Sequence, residues 1–265
     1  MLTGLQSRAL LLIVTAGGIG VAALLPPMPQ DSAYHQFADD RTLAAVPYFW
    51  NVLSNVGFAL AGAIGLFAAP RVRSPELRTG YLLFCVAVMA VSAGSSWYHY
   101  APSNATLVWD RLPMSVAFMA LFSMVLGDRV SWRLAGIALW PLAAAGAASV
   151  WYWHWTELHG AGDLRAYGVV QFLPMLIMPL LLLTCPGSRR SARWLWATFA
   201  GYLLAKLAEH LDRPIYEALG FIGHSIKHLL GAAAVLCAIP ALLALDPARR
   251  EFRVGFITEP PGRFE

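Results

Sequence analysis

Five side chains in this sequence have the types and spacing for hydrolytic chemistry. Ser95 and His99 bound the stretch Ser95-Ser96-Trp97-Tyr98-His99, and Asp110 follows eleven positions after His99. Far downstream, His224 and His228 bound His224-Ser225-Ile226-Lys227-His228. Histidines at i and i+4 stack on one helix face with Cβ atoms about 5–6 Å apart, close enough to grip one ion. Ser95 and His99 have the same spacing, which puts a hydroxyl and a third imidazole on one face. Three neutral imidazoles plus water match the donor set of an open, catalytic zinc site. Zinc lowers the pKa of such a water to about 7. Each piece alone has a plainer reading. Ser95 could be a small residue packed between helices, and Asp110 could pair with Arg111 or cap a helix.

The elements that must carry these residues are hydrophobic. Of the 265 residues 58% are hydrophobic and only 13% charged, with a mean hydropathy of +0.58. Soluble domains carry about 25% charged residues, so the balance points to a polytopic membrane protein. Apolar runs fall near residues 9–25, 48–69, 79–98, 107–126, 132–150, 166–184, 194–211 and 221–245. Each approaches the ~20 residues that a helix needs to cross a ~30 Å hydrocarbon core, and lipid leaves helices as the economical solution. The first run could be a signal peptide, but it is long for one and ends in Pro26-Pro27-Met28-Pro29 with no small-x-small site. A retained helix is therefore expected. The aromatic stretch Trp151-Tyr152-Trp153-His154-Trp155 reads as an interfacial belt.

Arginine and lysine give the orientation. Taking loops alternately, one side collects Arg8, Arg71, Arg73, Arg78, Arg129, Arg133, Arg189, Arg190, Arg193, Arg249, Arg250, Arg253 and Arg263, thirteen residues against three, Arg41, Arg165 and Arg213. Eight crossings with both termini in the cytoplasm satisfy this split. On that topology His99, Asp110, His224 and His228 all reach the outer membrane depth. The basic residues are scattered among short loops, which argues against nucleic acid despite a pI near 9.1. Asn51, Ser54 and Asn55 are expected to tie the second run to its neighbours by hydrogen bonds. Glu209, His210 and Asp212 read as groups near the mouth of the site, and His35, His154 and His159 as facing solvent or headgroups. Lys227 is expected to turn away from the histidines or to meet an anionic headgroup. Cys85, Cys185 and Cys237 lack metal spacing and read as packing thiols.

Taken together, Ser95-x-x-x-His99, Asp110 and His224-x-x-x-His228 resemble the pattern of the alkaline ceramidase family, within a superfamily shared with adiponectin-receptor-like proteins. Phe49-Trp50-Asn51-Val52-Leu53-Ser54-Asn55 resembles the start of that family's first core helix, and Trp109-Asp110-Arg111-Leu112-Pro113 resembles bacterial members. The resemblance covers roughly residues 34–245. It implies an all-α integral membrane fold with a seven-helix core at 48–245. To that core are added an N-terminal transmembrane helix at 1–30, an outer polar segment at 31–47 and a cytoplasmic tail at 246–265. It further implies hydrolysis of the amide of ceramide, or a ceramide-like lipid, to a sphingoid base and a fatty acid. His99, His224 and His228 would hold zinc, Asp110 would take a proton from the activated water, and Ser95 would donate to the oxyanion. A bacterial member would sit in the inner membrane with its site toward the periplasm, acting on a membrane lipid; no protein partner is inferable.

One departure argues against calcium dependence: Tyr48 stands where eukaryotic members resemble one another in a Glu. Two other readings compete. A receptor of the adiponectin-receptor-like branch, with weak hydrolysis, would place its metal toward the cytoplasm. A metal-gated transporter would show repeated halves and broken helices, and neither is evident. The charge split makes a direct forecast. In a background lacking the native cysteines, Ser103→Cys is expected to label from outside and Arg190→Cys from inside only; the reverse pattern would overturn the topology.

Overall fold

The computed structural model describes residues 4–72, 74–220 and 223–245. The expected tail at 246–265, with Arg249, Arg250, Arg253 and Arg263, lies outside the described residues, as do residues 1–3, Arg73 and Phe221. The helices in order are α1 (Gly4–Leu24), α2 (Phe49–Ser54), α3 (Val56–Ala68), α4 (Pro75–Tyr100), α5 (Asn104–Arg129), α6 (Trp132–Leu158), α7 (Arg165–Thr184), α8 (Arg189–His210), α9 (Asp212–Leu219) and α10 (Ser225–Leu243). No strand occurs among the described residues, only an isolated bridge between Leu43 and Val46.

Among the described residues six spans are long and apolar enough to cross a membrane: α2 with α3, then α4, α5, α6, α7 and α10. The first and seventh sequence runs differ for identifiable reasons. The apolar part of α1 is shorter, from Arg8 to Leu24. The 22-residue α8 starts with Arg189 and Arg190 and ends with Lys206, Glu209 and His210. The short α9 interrupts what the sequence presents as a plain loop.

The second apolar run breaks at Asn55, where α2 gives way to α3. Asn55 Nδ2 donates to the Asn51 carbonyl at 2.8 Å, and Ser54 Oγ donates to the same carbonyl at 3.2 Å. Side chains of this kind compete with the helical ladder, so the break is local chemistry. At the start of α5, Ser103 accepts from the Thr106 amide at 3.2 Å while Thr106 Oγ1 accepts from the Ser103 amide at 3.1 Å. This capping box serves the helix N-terminus, so Asp110, two turns further on, is no cap.

The central helix is α5, which packs against α4, α6 and α7, while α10 joins α8 to α3. The α1 helix packs on α7. Arg165 Nη1 donates to the Leu25 carbonyl at 2.7 Å, Leu164 N donates to the Met28 carbonyl at 2.9 Å, and Asp163 holds Arg165 at 2.8 Å. The Arg165 guanidinium in turn pulls the Asp163 carboxyl down to about 2.

Where α4 meets α5, Gly94 lies against the Trp109 carbonyl, leaving no space for a Cβ. That carbonyl has lost its ordinary helical donor, because the residue four positions on is Pro113. Small residues permit such close approaches between membrane helices. Gly94→Ala is expected to force α4 and α5 apart and to cost about 1–3 kcal/mol, the range for overpacking. Thermal melting in detergent would check this, and an unchanged melting temperature would contradict the close approach.

Candidate functional site

The α4–α5 contact sets Ser95 and His99 one helical turn apart and brings the Ser95 hydroxyl within interaction range of the Asp110 carboxylate. Asp110 makes no ion pair with Arg111, whose guanidinium turns instead to the rings of Trp153 and Tyr167. From the other side of the bundle α10 delivers its histidines. His224 stands just before the helix in helical conformation, and His228 lies in its first turn. One ligand nitrogen from each of His99, His224 and His228 falls within 4.8 Å of the others, and all three residues are buried. Sequence spacing pairs only His224 with His228; the fold brings His99 to them, giving the group of three expected from the sequence.

The arrangement suits a metal ion. His99 Nε2 and His228 Nε2 face each other at 3.1 Å. At least one of them is therefore an unprotonated acceptor. His228 Nδ1 is engaged by Ser54 Oγ at 2.7 Å, which fixes the ring and leaves Nε2 for a ligand, as outer partners do in metal sites. The Phe37 ring lies over the group, 4.6 Å from His99 and 4.7 Å from His224 between centroids, and keeps it dry. Asn51 Oδ1 accepts from Ser225 Oγ at 2.9 Å and ties α2 to the start of α10. The hydrogen bonding expected of Asn51 and Ser54 is thus present, and Ser54 acts directly on a site histidine.

Other expectations change. Lys227 does not turn away: its Nζ lies 2.5 Å from Glu209 Oε1 and 3.5 Å from His224 Nε2. Glu209 also pairs with Lys206 and accepts from Tyr34 Oη at 3.2 Å. A buried carboxylate beside two ammonium groups needs such partners, and this drives Lys227 inward. His35 does not face solvent: its ring nitrogens meet Tyr98 Oη and Asn104 Oδ1, both at 3.0 Å. The outer segment therefore folds back over the histidines. Asp39 pairs with Arg41 at 2.6 Å, and Asp212 accepts from the Ala38 amide at 3.0 Å. His210 is exposed and stands outside the histidine group. Sequence reasoning missed Tyr34, Phe37 and the Arg111 cage, which depend on contacts across 42 to 187 positions and leave no periodic signal.

A cavity of about 420 Å³ runs through the bundle, walled by Val88, Phe118, Leu121, Met175, Phe199 and Val235 from five helices. Its polar end is formed by Tyr34, Arg111, Lys206, Glu209 and Lys227. The three histidines do not line it, but two of its wall residues adjoin them: Lys227 at His224, and Phe58 with its ring 6.4 Å from that of His228. One largely apolar chamber thus adjoins a buried nitrogen-donor group.

A family model described as ceramidase matches residues 42–209. That stretch contains Ser95, His99 and Asp110 and ends before His224 and His228. No curated protein matches the chain. The match spans more than half of the sequence, so the chain belongs to the ceramidase family. It is accordingly a hydrolase acting on ceramide, with membrane-embedded helices and a three-histidine group able to hold a metal.

Ser54→Ala is expected to release the His228 ring while leaving the fold intact. Loss of an outer partner typically costs 10–100-fold in metal affinity, so zinc titration of the variant should show a drop of about that size. Unchanged affinity would remove Ser54 from the site.

Proposed function

We propose that the chain is a zinc-dependent amidase within the membrane. It would cleave the amide of ceramide or a ceramide-like lipid into a sphingoid base and a fatty acid. The observation that carries this reading is the juxtaposition of three buried imidazoles, the Ser95–Asp110 pair and the polar end of an apolar cavity. His99, His224 and His228 would hold the ion. Bound there, zinc would supply a Lewis acid that polarises the amide carbonyl and makes water a nucleophile near neutral pH.

The remaining steps belong to the chain's own residues. Asp110 accepts a proton from the attacking water as its oxygen bonds to the carbonyl carbon. Before that transfer the Ser95 hydroxyl donates to Asp110. Once Asp110 carries the proton it can donate back to Ser95 Oγ, and the Ser95 hydrogen is free to turn to the negatively charged carbonyl oxygen. Asp110 then returns its proton to the leaving nitrogen as the C–N bond breaks, giving acid and amine. Buried donors of this kind act most strongly where charge develops.

The arginine distribution supports eight crossings, with the seven-helix core at 48–245, the added helix at 1–30, the segment at 31–47 and the tail at 246–265. The site then opens toward the outside of a bacterial inner membrane. The substrate is a membrane lipid.

Asp110→Asn and Ser95→Ala separate holding the ion from using it. Loss of a general base costs about 10²–10⁴ in rate, and loss of one oxyanion donor about 10²–10³. Both variants are expected to keep their zinc and melting temperature while kcat falls and KM changes little. His99→Ala, His224→Ala and His228→Ala should each lose zinc by elemental analysis. Wild-type turnover in both Asp110→Asn and Ser95→Ala, or undiminished zinc in all three histidine variants, would defeat the proposal.

A further inference from the structure

Arg111 is a buried cation without a direct ion pair; the Asp110 carboxylate acts on it only through space. The residue is 5% exposed, and its guanidinium carbon lies 4.4 Å from the Trp153 ring centre, 4.8 Å from that of Tyr167 and 5.4 Å from that of Tyr34. Its Nη2 donates to Gln30 Oε1 at 2.7 Å, but the buried Nη1 donates to nothing. Among the described residues no carboxylate makes an ion pair with it. The three rings favour a cation and fix its plane, yet they offer no oxygen to the free N–H groups. A guanidinium stays charged at any accessible pH, and an ionisable group inside a membrane marks a functional site by default.

Arg111 also lines the polar end of the cavity. Three cations, Arg111, Lys206 and Lys227, line that end with one carboxylate, Glu209, which both lysines already use; Asp110, off the cavity wall, acts on Arg111 and Lys227 through space but offers Arg111 no ion pair. A ligand complementary to this chamber has a long apolar chain and a negative group near Arg111. The polar end of ceramide, a pair of hydroxyls, supplies no such charge.

We infer that Arg111 is an anion-binding, specificity-determining residue, and that the preferred substrate is a lipid amide with an anionic group on its polar end. This rests on the amidase reading above. Guanidinium groups take carboxylate and phosphate by the same two-point hydrogen bonding, so both sources belong in the test.

The zinc-loaded full chain in nanodiscs is given three amides with one palmitoyl chain: ceramide, ceramide 1-phosphate and N-palmitoylserine. Hydrogen bonds to charged groups contribute enough for about a 10- to 100-fold preference in kcat/KM for an anionic amide over ceramide. That ratio should collapse toward one in Arg111→Gln and survive in part in Arg111→Lys, which keeps the charge without the fork. The dissociation constants of the three lipids on Asp110→Asn protein give the same comparison without turnover. Equal kcat/KM and equal Kd for the three lipids would overturn the inference, as would an anion preference undiminished in Arg111→Gln. Should Arg111→Gln fail to fold, the wild type and Arg111→Lys decide by the same criteria. Hydrolysis of ceramide without any anion preference sinks the anion site and leaves the amidase reading standing. Arg111-dependent binding of anionic lipids with no hydrolysis does the opposite.

Discussion

The structure hinges on a backbone carbonyl that its own helix cannot satisfy. Pro113 has no N–H to offer Trp109, so the carbonyl turns toward the neighbouring helix, where Gly94 presents no Cβ to block it. The next residue along α4 is Ser95 and the next along α5 is Asp110, so the closest approach of the two helices is also where the hydroxyl meets the carboxylate. His99 follows one turn later. A larger residue at Gly94 would shift all three groups together, because they ride on two rigid helices.

The second constraint is that polar groups here have little water to fall back on. A buried donor or acceptor without a partner is costly, and the chain answers with pairings that cross long stretches of sequence. Ser54 meets His228, Asn51 meets Ser225, and Glu209 gathers Lys206, Lys227 and Tyr34. These contacts hold α2, α8 and α10 in register around the imidazoles. Two buried groups left without a hydrogen-bond partner, His99 Nδ1 and Arg111 Nη1, lie beside the proposed chemistry. Such incompleteness is costly in an ordinary core and useful where a ligand binds.

Much of this was legible in the sequence. Hydrophobic runs of helical length, an i,i+4 pair of histidines and a second i,i+4 pair of serine and histidine are local patterns, and local patterns survive translation into structure. The helical architecture and the candidate metal group were both readable on that basis. Lys227 was misjudged because helical spacing places it on a face without saying what that face meets; Glu209, on another helix, decides. The break at Asn55 was hidden inside an apolar run because hydropathy does not register side-chain competition for a carbonyl. The aromatic cage of Arg111 draws on Tyr34, Trp153 and Tyr167, from three separate elements, and no periodicity could have assembled it.

The outer segment between α1 and α2 shows how such non-local parts complete a site. Its Phe37 ring excludes water from His99 and His224, its Tyr34 hydroxyl reaches Glu209 and its Tyr34 ring faces Arg111, and Gln30 orients the guanidinium. The segment is anchored before this point by the Met28 carbonyl and after it by the Ala38 amide, which donates to Asp212. Between anchors it crosses directly over the imidazoles, and nearby the backbone accepts left-handed conformations at Ala44, Ala45 and Tyr48. Such conformations are unfavourable for residues with a Cβ, and they persist because contacts on both sides hold the chain. The helices thus position the donors, while a short irregular stretch determines how dry the donors are and which ligand charge the cavity mouth will accept.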